Sequence, residues 1–248
     1  MKITIVTAVL NCAAAFAETV RSVQACRRPG VVHIVIDGGS SDGTLEVIRA
    51  SAGHFAAWRS EPDRGVYDAM NKGWAMADPD SWILFLGAGD RLLSLPRELP
   101  PGAGSDTVLY GDVLLDGGRY FRSRQGLWLR LYNSLHHQGL LVPKRLHPDP
   151  PFDLAFPLYA DFDFNQRLYR QGADFRHTSD LVAYAAPGGL TGELQLDEMT
   201  RIVRKNFGRF WYGLSMGGFS LARMLPVLGK LRPIRERCVL SGGDRQGL

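Results

Sequence analysis

Neither of the common phosphate-binding loops is present in this sequence. The first apolar run is followed by Asn11-Cys-Ala-Ala-Ala15, without the G-x-G-x-x-G of a dinucleotide fingerprint. Gly38 and Gly43 have G-x-x-x-x-G spacing, but Thr44-Leu45 stand where a P-loop requires Lys and then Ser or Thr. Any bound nucleotide would have to be held by side chains and a metal. Cysteine is scarce: Cys12, Cys26 and Cys238 are odd in number and unpatterned, which argues against a disulfide framework and suits a reducing cytosol. No run reaches the roughly 18–20 apolar residues of a membrane-spanning helix. No Lys/Arg tract interleaved with aromatics appears, so nucleic acid is not an expected partner. Zinc-type spacings, internal repeats and low-complexity segments are also lacking.

What remains is globular. The 248 residues are 45% hydrophobic and 22% charged with a net charge of +4, enough for one large α/β domain or a domain with an appendage. Lys2, the run Ile3–Leu10 and Ala13-Ala-Ala-Phe-Ala17 mimic a secretory leader. Thr4, Thr7 and Asn11 interrupt it, and the segment also reads as a buried strand leading into a helix capped by Asn11.

Strand and helix signals alternate through the first ~90 residues. Runs at Ile3–Val9, Val31–Ile36, Ala56–Arg59 and Trp82–Leu86 are separated by helical patterns after Asn11, after Ser41 and over Tyr67–Ala77. This alternation predicts an α/β fold with a mostly parallel sheet flanked by helices. Beyond it the pattern changes. Thr107–Leu115 and Arg119–Arg124 flank a hairpin signal at Asp116-Gly-Gly118, Pro143 to Pro157 is a loop, and Leu158–Arg170 is helical. From about Asn206 to Leu231 apolar and aromatic residues mix with Arg and Lys, with Arg232, Arg235 and Arg237 beyond. This reads equally as a helical arm packed on the main domain or as a helix lying in a membrane interface.

Ligands of open α/β sheets collect outside the carboxyl ends of the strands. Asp37 ends the second strand; it reads as a turn former or as the acceptor for a nucleobase N–H. Asp90, in Gly87-Ala-Gly-Asp90, ends the strand at Trp82–Leu86. It reads as a turn residue or as an oxygen ligand for Mg²⁺ or Mn²⁺ carrying substrate phosphates. Asp161 and Asp163 open the helix at 158–170, either as simple caps or with one of them as a general base. His136-His137-Gln138, ahead of another apolar run, is either structural or lines an acceptor site.

Six segments in order carry a resemblance. They are Val35-Ile-Asp-Gly-Gly-Ser-Ser-Asp-Gly-Thr44, Ser60-Glu-Pro-Asp-Arg-Gly-Val-Tyr-Asp-Ala-Met-Asn-Lys-Gly73, Phe85-Leu-Gly-Ala-Gly-Asp90, Tyr110-Gly-Asp112, His137-Gln138 and Ala160-Asp-Phe-Asp163. Together they resemble family-2 glycosyltransferases of the GT-A fold, in particular the bacterial polysaccharide and colanic-acid-type subgroup. The resemblance implies a GT-A domain over 1–195, with a nucleotide-sugar half (1–95) and a mixed α/β acceptor half (96–195), and a C-terminal helical extension over 196–248.

It further implies inverting transfer from a nucleotide diphosphate sugar to a hydroxyl of a saccharide or lipid-linked saccharide. Ala8 and Leu10 would line the nucleobase pocket and Asp37 would meet the base. Arg64, Asp68 and Lys72 would sit near ribose and diphosphate, and His137 and Gln138 near the acceptor or diphosphate. Asp161 would be the base and Asp90 the ligand of Mg²⁺ or Mn²⁺. The implied location is cytoplasmic, with peripheral contact at the inner membrane face through the arm. Two departures stand out: Gly87 and Gly89 occupy positions that are acidic in many members, and Ala160 replaces an acid that often precedes the base. Against this stand two alternatives, a sugar-phosphate nucleotidyltransferase and a nucleotide-sugar-binding module that has lost activity.

Overall fold

The computed structural model describes residues 1–187 and 196–224, with side chains through 218. A run of β-branched and apolar residues makes β1 (Ile3–Val9), which is buried at every position. It pairs in parallel with β2 (Val31–Asp37) on one side and β4 (Trp82–Gly87) on the other. β3 (Ala57–Ser60) adds in parallel to β2. A strand buried on both faces reads as a continuous hydrophobic run, and the three central strands of this half do so.

Crossover helices cover the two faces. α1 (Ala13–Ala25) buries Phe16, Val20 and Val23, the spacing expected of one helical face. α2 (Thr44–Ala50) is short, and α3 (Val66–Met76) lays Tyr67, Ala69, Met70 and Gly73 against the sheet. Neither expected cap forms as read. The residue preceding α1 is Cys12, while Asn11 takes a left-handed φ of 49° and its side-chain oxygen accepts the Ser41 N–H at 2.8 Å. Asn tolerates that conformation because its short amide bonds locally. α2 starts after Gly43, so Ser41 does not cap it; Asp42 accepts the Thr44 N–H instead.

The second half is mixed. The remaining strands are β5 (Arg91–Ser94), β6 (Thr107–Leu114), β7 (Tyr120–Phe121), β8 (Leu140–Pro143) and β9 (Asp174–Tyr184). They extend the sheet in the order β3-β2-β1-β4-β8-β6-β9-β5, with β7 paired to β6 as the Gly117-Gly118 turn signal predicts. β8 runs antiparallel to both β4 and β6, so it splices the parallel half to the other. α4 (Ala160–Arg170) and α5 (Leu196–Met224) pack together on one face.

α5 is not free of the domain at its start. Met199, Ile202 and Val203 lie in the same buried cluster as Ala160, Phe164 and Leu168. Glu198 accepts the N–H groups of Leu158 and Tyr159 at 2.9 and 2.7 Å, satisfying backbone donors at the entrance to α4. The part of the expected arm at 225–248, including Arg232, Arg235, Arg237 and Cys238, lies outside the described residues.

β6 and β9 shift register at Gly111. A Cβ there would lie 1.8 Å from the Leu181 carbonyl oxygen, a backbone atom that cannot swing aside. Gly111→Ala is therefore expected to cost about 3 kcal/mol, the upper part of the overpacking range. Urea denaturation checks this, and a loss below about 0.5 kcal/mol would show that the close approach is not a constraint.

Candidate active site

Two carboxylates at the carboxyl edge of the sheet are joined by one short turn. His137–Gly139 forms a single 3₁₀ turn between the Tyr132–His136 segment and β8. Gly139 is pressed against β6: a Cβ would sit 2.8 Å from the Gly111 carbonyl oxygen. From this wedged turn the two neighbouring side chains diverge. His137 Nδ1 lies 3.1 Å from Asp161 Oδ2, and Gln138 Nε2 donates to Asp90 Oδ2 at 3.0 Å.

Asp161 sits in the first turn of α4 and is buried. Its Oδ1 accepts the Tyr67 hydroxyl at 3.1 Å and the Phe162 N–H at 2.8 Å, and the Asn133 amide approaches both oxygens at 3.4 and 3.5 Å. Burial pushes its carboxyl up, but the His137 hydrogen bond and charge, with His136 and the Tyr67 hydroxyl, outweigh this. The carboxyl is held below its usual range. The helix N-terminus favours the anion further. His137 shows the mirror image: burial pushes it down, and the Asp161 bond and charge together with Asp90 carry it above its usual 6.5. Burial lowers His136, whose ring packs at a tilt against Phe121 with centroids 4.1 Å apart.

Asp163, the other acid of the motif, is separated from this group. It is fully buried, with Arg167 Nε at 2.9 Å, Lys205 Nζ at 2.9 Å and the Asn206 amide at 2.9 Å. Its partners lie on α4 and α5, so it ties the two helices together.

Asp90 is buried and surrounded by donors. Oδ1 accepts the Ala186 N–H at 3.0 Å, and Oδ2 accepts the Gly87 N–H at 2.8 Å as well as the Gln138 amide. Thr19 completes the turn, accepting the Gly89 N–H and donating to the Asp90 carbonyl. Three N–H groups already occupy three of the roughly four acceptor positions of this carboxylate, and glycines stand where further acids would share a cation. Among the described residues no cluster of three or more His, Cys, Asp or Glu side chains is spaced to hold a metal. The expected ligation of Mg²⁺ or Mn²⁺ by Asp90 thus does not fit the side chain as placed. It acts here as the acceptor that gathers the ends of β4 and β9 and the 137–139 turn.

The other expected residues lie along the same edge of the sheet. Ala8 is buried near the end of β1, in register with Ile36 and Gly87, and Leu10 just beyond is about half exposed. Asp37 is fully buried. Its oxygens accept the Ser40 N–H and hydroxyl and the Ser60 hydroxyl (2.6 Å), which closes the turn after β2. Arg64, Asp68 and Lys72 form one cluster at the start of α3. The Arg64 guanidinium is 3.2 Å from Asp68, and the Lys72 amine is 3.5 Å from Asp68 and 3.2 Å from Glu61. Burial opposes ionisation of Asp68, but the Arg64 N–H and guanidinium with Lys72 hold its carboxyl below the usual range. Arg64 and Asp68 also line a cavity of about 440 Å³ with Asn71, Phe152, Asp153 and Arg167.

Sequence reasoning missed Tyr67, Asn133 and Asn71. Tyr67 crosses from α3 to Asp161, and Asn71 exchanges two hydrogen bonds with the Phe152 backbone at 2.9 and 3.0 Å. Both stand inside the Glu61–Gly73 segment; which face of α3 they occupy is the only signal for them.

A parallel half spliced to a mixed half, with this edge between them, is the setting for the comparisons. The profile described as "Glycosyl transferase family 2" matches residues 4–92. A "PGL/p-HBAD biosynthesis glycosyltransferase" of Mycobacterium bovis is 31% identical over 179 residues, which are 65% of this chain and 68% of that protein. The chain belongs to glycosyltransferase family 2. It is a glycosyltransferase whose fold is shared with solved structures. Staphylococcus aureus TarS superposes with a TM-score of 0.59 at 17% identity, covering 82% of this chain and 39% of that one. A Pyrobaculum calidifontis mannosyltransferase solved with GDP-Man and Mn²⁺ gives 0.59 at 15%, covering 83% and 63%. The chain thus spans about two-fifths of that TarS chain, and TarS 1–349 has been solved with UDP and with UDP-GlcNAc.

Two measurements test the electrostatics of this glycosyltransferase. Asp90→Asn would turn an amide toward N–H donors, so the metal-free protein should lose roughly 1–3 kcal/mol of unfolding free energy. A carboxylate kept only for a cation would leave that stability unchanged or improved. The His137–Asp161 pair sets a pH window. The raised His137 contributes fully below 6.5 and loses its contribution as pH rises through its folded value. The depressed Asp161 contributes above 3.8 and loses it as pH falls through its folded value. The stability gap between wild type and His137→Gln should therefore be widest below about pH 6.5 and narrow as the pH rises above it. A gap independent of pH would mean that His137 carries no charge in the folded protein.

Proposed function

We propose that this glycosyltransferase moves a sugar from a nucleotide diphosphate donor to a hydroxyl of a saccharide or lipid-linked saccharide, with inversion, and that Asp161 is the base. The observation that carries this is a buried carboxylate kept ionised by His137 and Tyr67 at the mouth of the sheet. The acceptor O–H gives its proton to Asp161 while its oxygen bonds to the anomeric carbon. The bond from that carbon to the phosphate oxygen breaks, and the nucleoside diphosphate leaves. His137 steadies the carboxylate before transfer, and its charge faces the region where anion develops. Two amide oxygens, Gln138 Oε1 and Asn133 Oδ1, are buried without a hydrogen-bond partner among the described residues. Such acceptors suit sugar hydroxyls.

Donor binding is assigned to the other cluster on the edge. Ala8 and Leu10 border the base, Asp37 shapes the turn against it, and Arg64, Asp68 and Lys72 serve ribose and diphosphate. Arg64 and Lys72 supply fixed positive charge. A cation bound with the nucleotide would neutralise leaving phosphates, but Asp90 as arranged supports the site through its hydrogen bonds. Polysaccharide or glycolipid assembly at the cytoplasmic membrane face is the matching setting. The bond network at Asp161 favours catalysis over a module that has lost activity.

Asp161→Asn tests the assignment. Nucleotide diphosphate release should fall about 10²–10⁴-fold, with calorimetric donor affinity changed less than about threefold. Undiminished turnover would remove Asp161 from the chemistry. Asp163→Asn should instead lower stability, since it strips a buried carboxylate from Arg167 and Lys205.

A further inference from the structure

A break inside α5 changes what that helix shows to solvent. Gly208 has φ 84° and ψ −174°, outside helical geometry. Before it the exposed positions are Asp197, Arg201, Arg204 and Lys205; after it they include Phe210, Leu214 and Met216, with Phe210 70% exposed. A second apolar element stands beside this segment. In the 3₁₀ stretch Gly126–Arg130, Leu127 is 62% and Trp128 48% exposed, while Leu129 between them and Arg130 is fully buried. The two elements are fastened together. Ser215 donates to the Leu131 carbonyl at 2.8 Å, and the Arg130 guanidinium lies 4.8 Å from the Trp211 ring centre.

The charge on the two segments that make this face is basic: residues 124–132 and 204–218 hold Arg124, Arg130, Arg204, Lys205 and Arg209 and no Asp or Glu, with Lys205 paired to Asp153 and Asp163. Arg124, Arg204 and Arg209 are exposed around the apolar centre, and Arg204 sits 5.9 Å from the Tyr212 ring. Exposed Phe, Leu and Trp with flanking arginines and tyrosines match the boundary between acyl chains and anionic headgroups. A polyanion without an apolar layer would leave Phe210 and Leu127 in water.

We propose that Gly126–Arg130 and the part of α5 after Gly208 together form a docking face for an anionic lipid surface. The proposal rests on the glycosyl-transfer reading and sharpens its acceptor. The face is anchored to the helix carrying Asp161, because Gln166 of α4 donates to the Leu129 carbonyl at 2.8 Å, and Asn133, close along the chain, reaches Asp161. A docked membrane would then bring a lipid-linked hydroxyl to the base from the acceptor side. No helix among the described residues is long and apolar enough to cross a membrane, so contact through this face is peripheral.

Vesicle flotation with the full chain tests this. Wild type should float with equimolar phosphatidylcholine–phosphatidylglycerol vesicles and not with phosphatidylcholine alone, and added salt should weaken the binding. Phe210→Glu/Leu214→Glu and, separately, Leu127→Glu/Trp128→Glu should each reduce the bound fraction about tenfold or more. Nucleotide-sugar turnover in solution should be unaffected and the unfolding midpoint little changed, since each of these side chains is about half exposed or more. Four results would overturn the proposal: no flotation of wild type, equal flotation of the variants, wild type running as a dimer that the variants make monomeric, or tighter binding to oligonucleotide than to vesicles with the same variant dependence. Flotation without any nucleotide-sugar turnover would instead overturn the transfer reading and leave the docking face standing.

Discussion

One hydrogen-bonded turn, His137–Gly139, holds both halves of this enzyme in register. Its backbone is wedged by contact between two glycines, Gly139 and Gly111, where a side chain at either would strike backbone. That closeness fixes where His137 and Gln138 leave the chain, and each takes one acid, Asp161 or Asp90. The parallel half ends in Asp90 and the mixed half in Asp161. Had the turn been a residue longer, the two carboxylates would share no common support. A buried polar network of this kind is worth having only when its members are satisfied, because an unpaired carboxylate at the same place is costly.

Three buried acids of similar appearance have three different duties. Asp161 has a hydrogen-bonding set that stabilises its charge yet faces the sheet edge. Asp163, two residues on, points into the α4–α5 contact and is locked by Arg167 and Lys205. Asp90 collects backbone N–H groups from β4 and from the residues following β9. The partners differ because a helix turns by about 100° per residue, so positions 161 and 163 face different sides. A strand end, by contrast, points its last side chain into whichever loop returns to it.

The parallel half was legible because the chain states it locally. Ile3–Val9, Val31–Asp37 and Trp82–Gly87 are predominantly apolar, and helical spacing at Phe16, Val20 and Val23 separates the first two. β5 and β9 were not read. β9 is exposed at about half its positions and carries Asp, Arg, His and Thr, so its composition resembles a loop until β6 pairs with it. The stretch from about Asn206 to Leu231 was read ambiguously between packed arm and interfacial helix; the helix in fact begins at Leu196, its first turns are core, and its face after Gly208 exposes Phe210, Leu214 and Met216.

The linear order of six motifs determined the family, the class of chemistry and the candidate acids, since motif residues keep their spacing whether or not the chain is folded. Tertiary structure alone decided what each acid does. Charge state, burial and partners come from groups 24 to 96 residues distant, such as His137 on Asp161 and Ala186 on Asp90. Asp90 was expected to face a cation, and the fold adds three N–H groups around it. A sequence lists carboxylates, but only the fold sets whether donors or solvent fill the space before them.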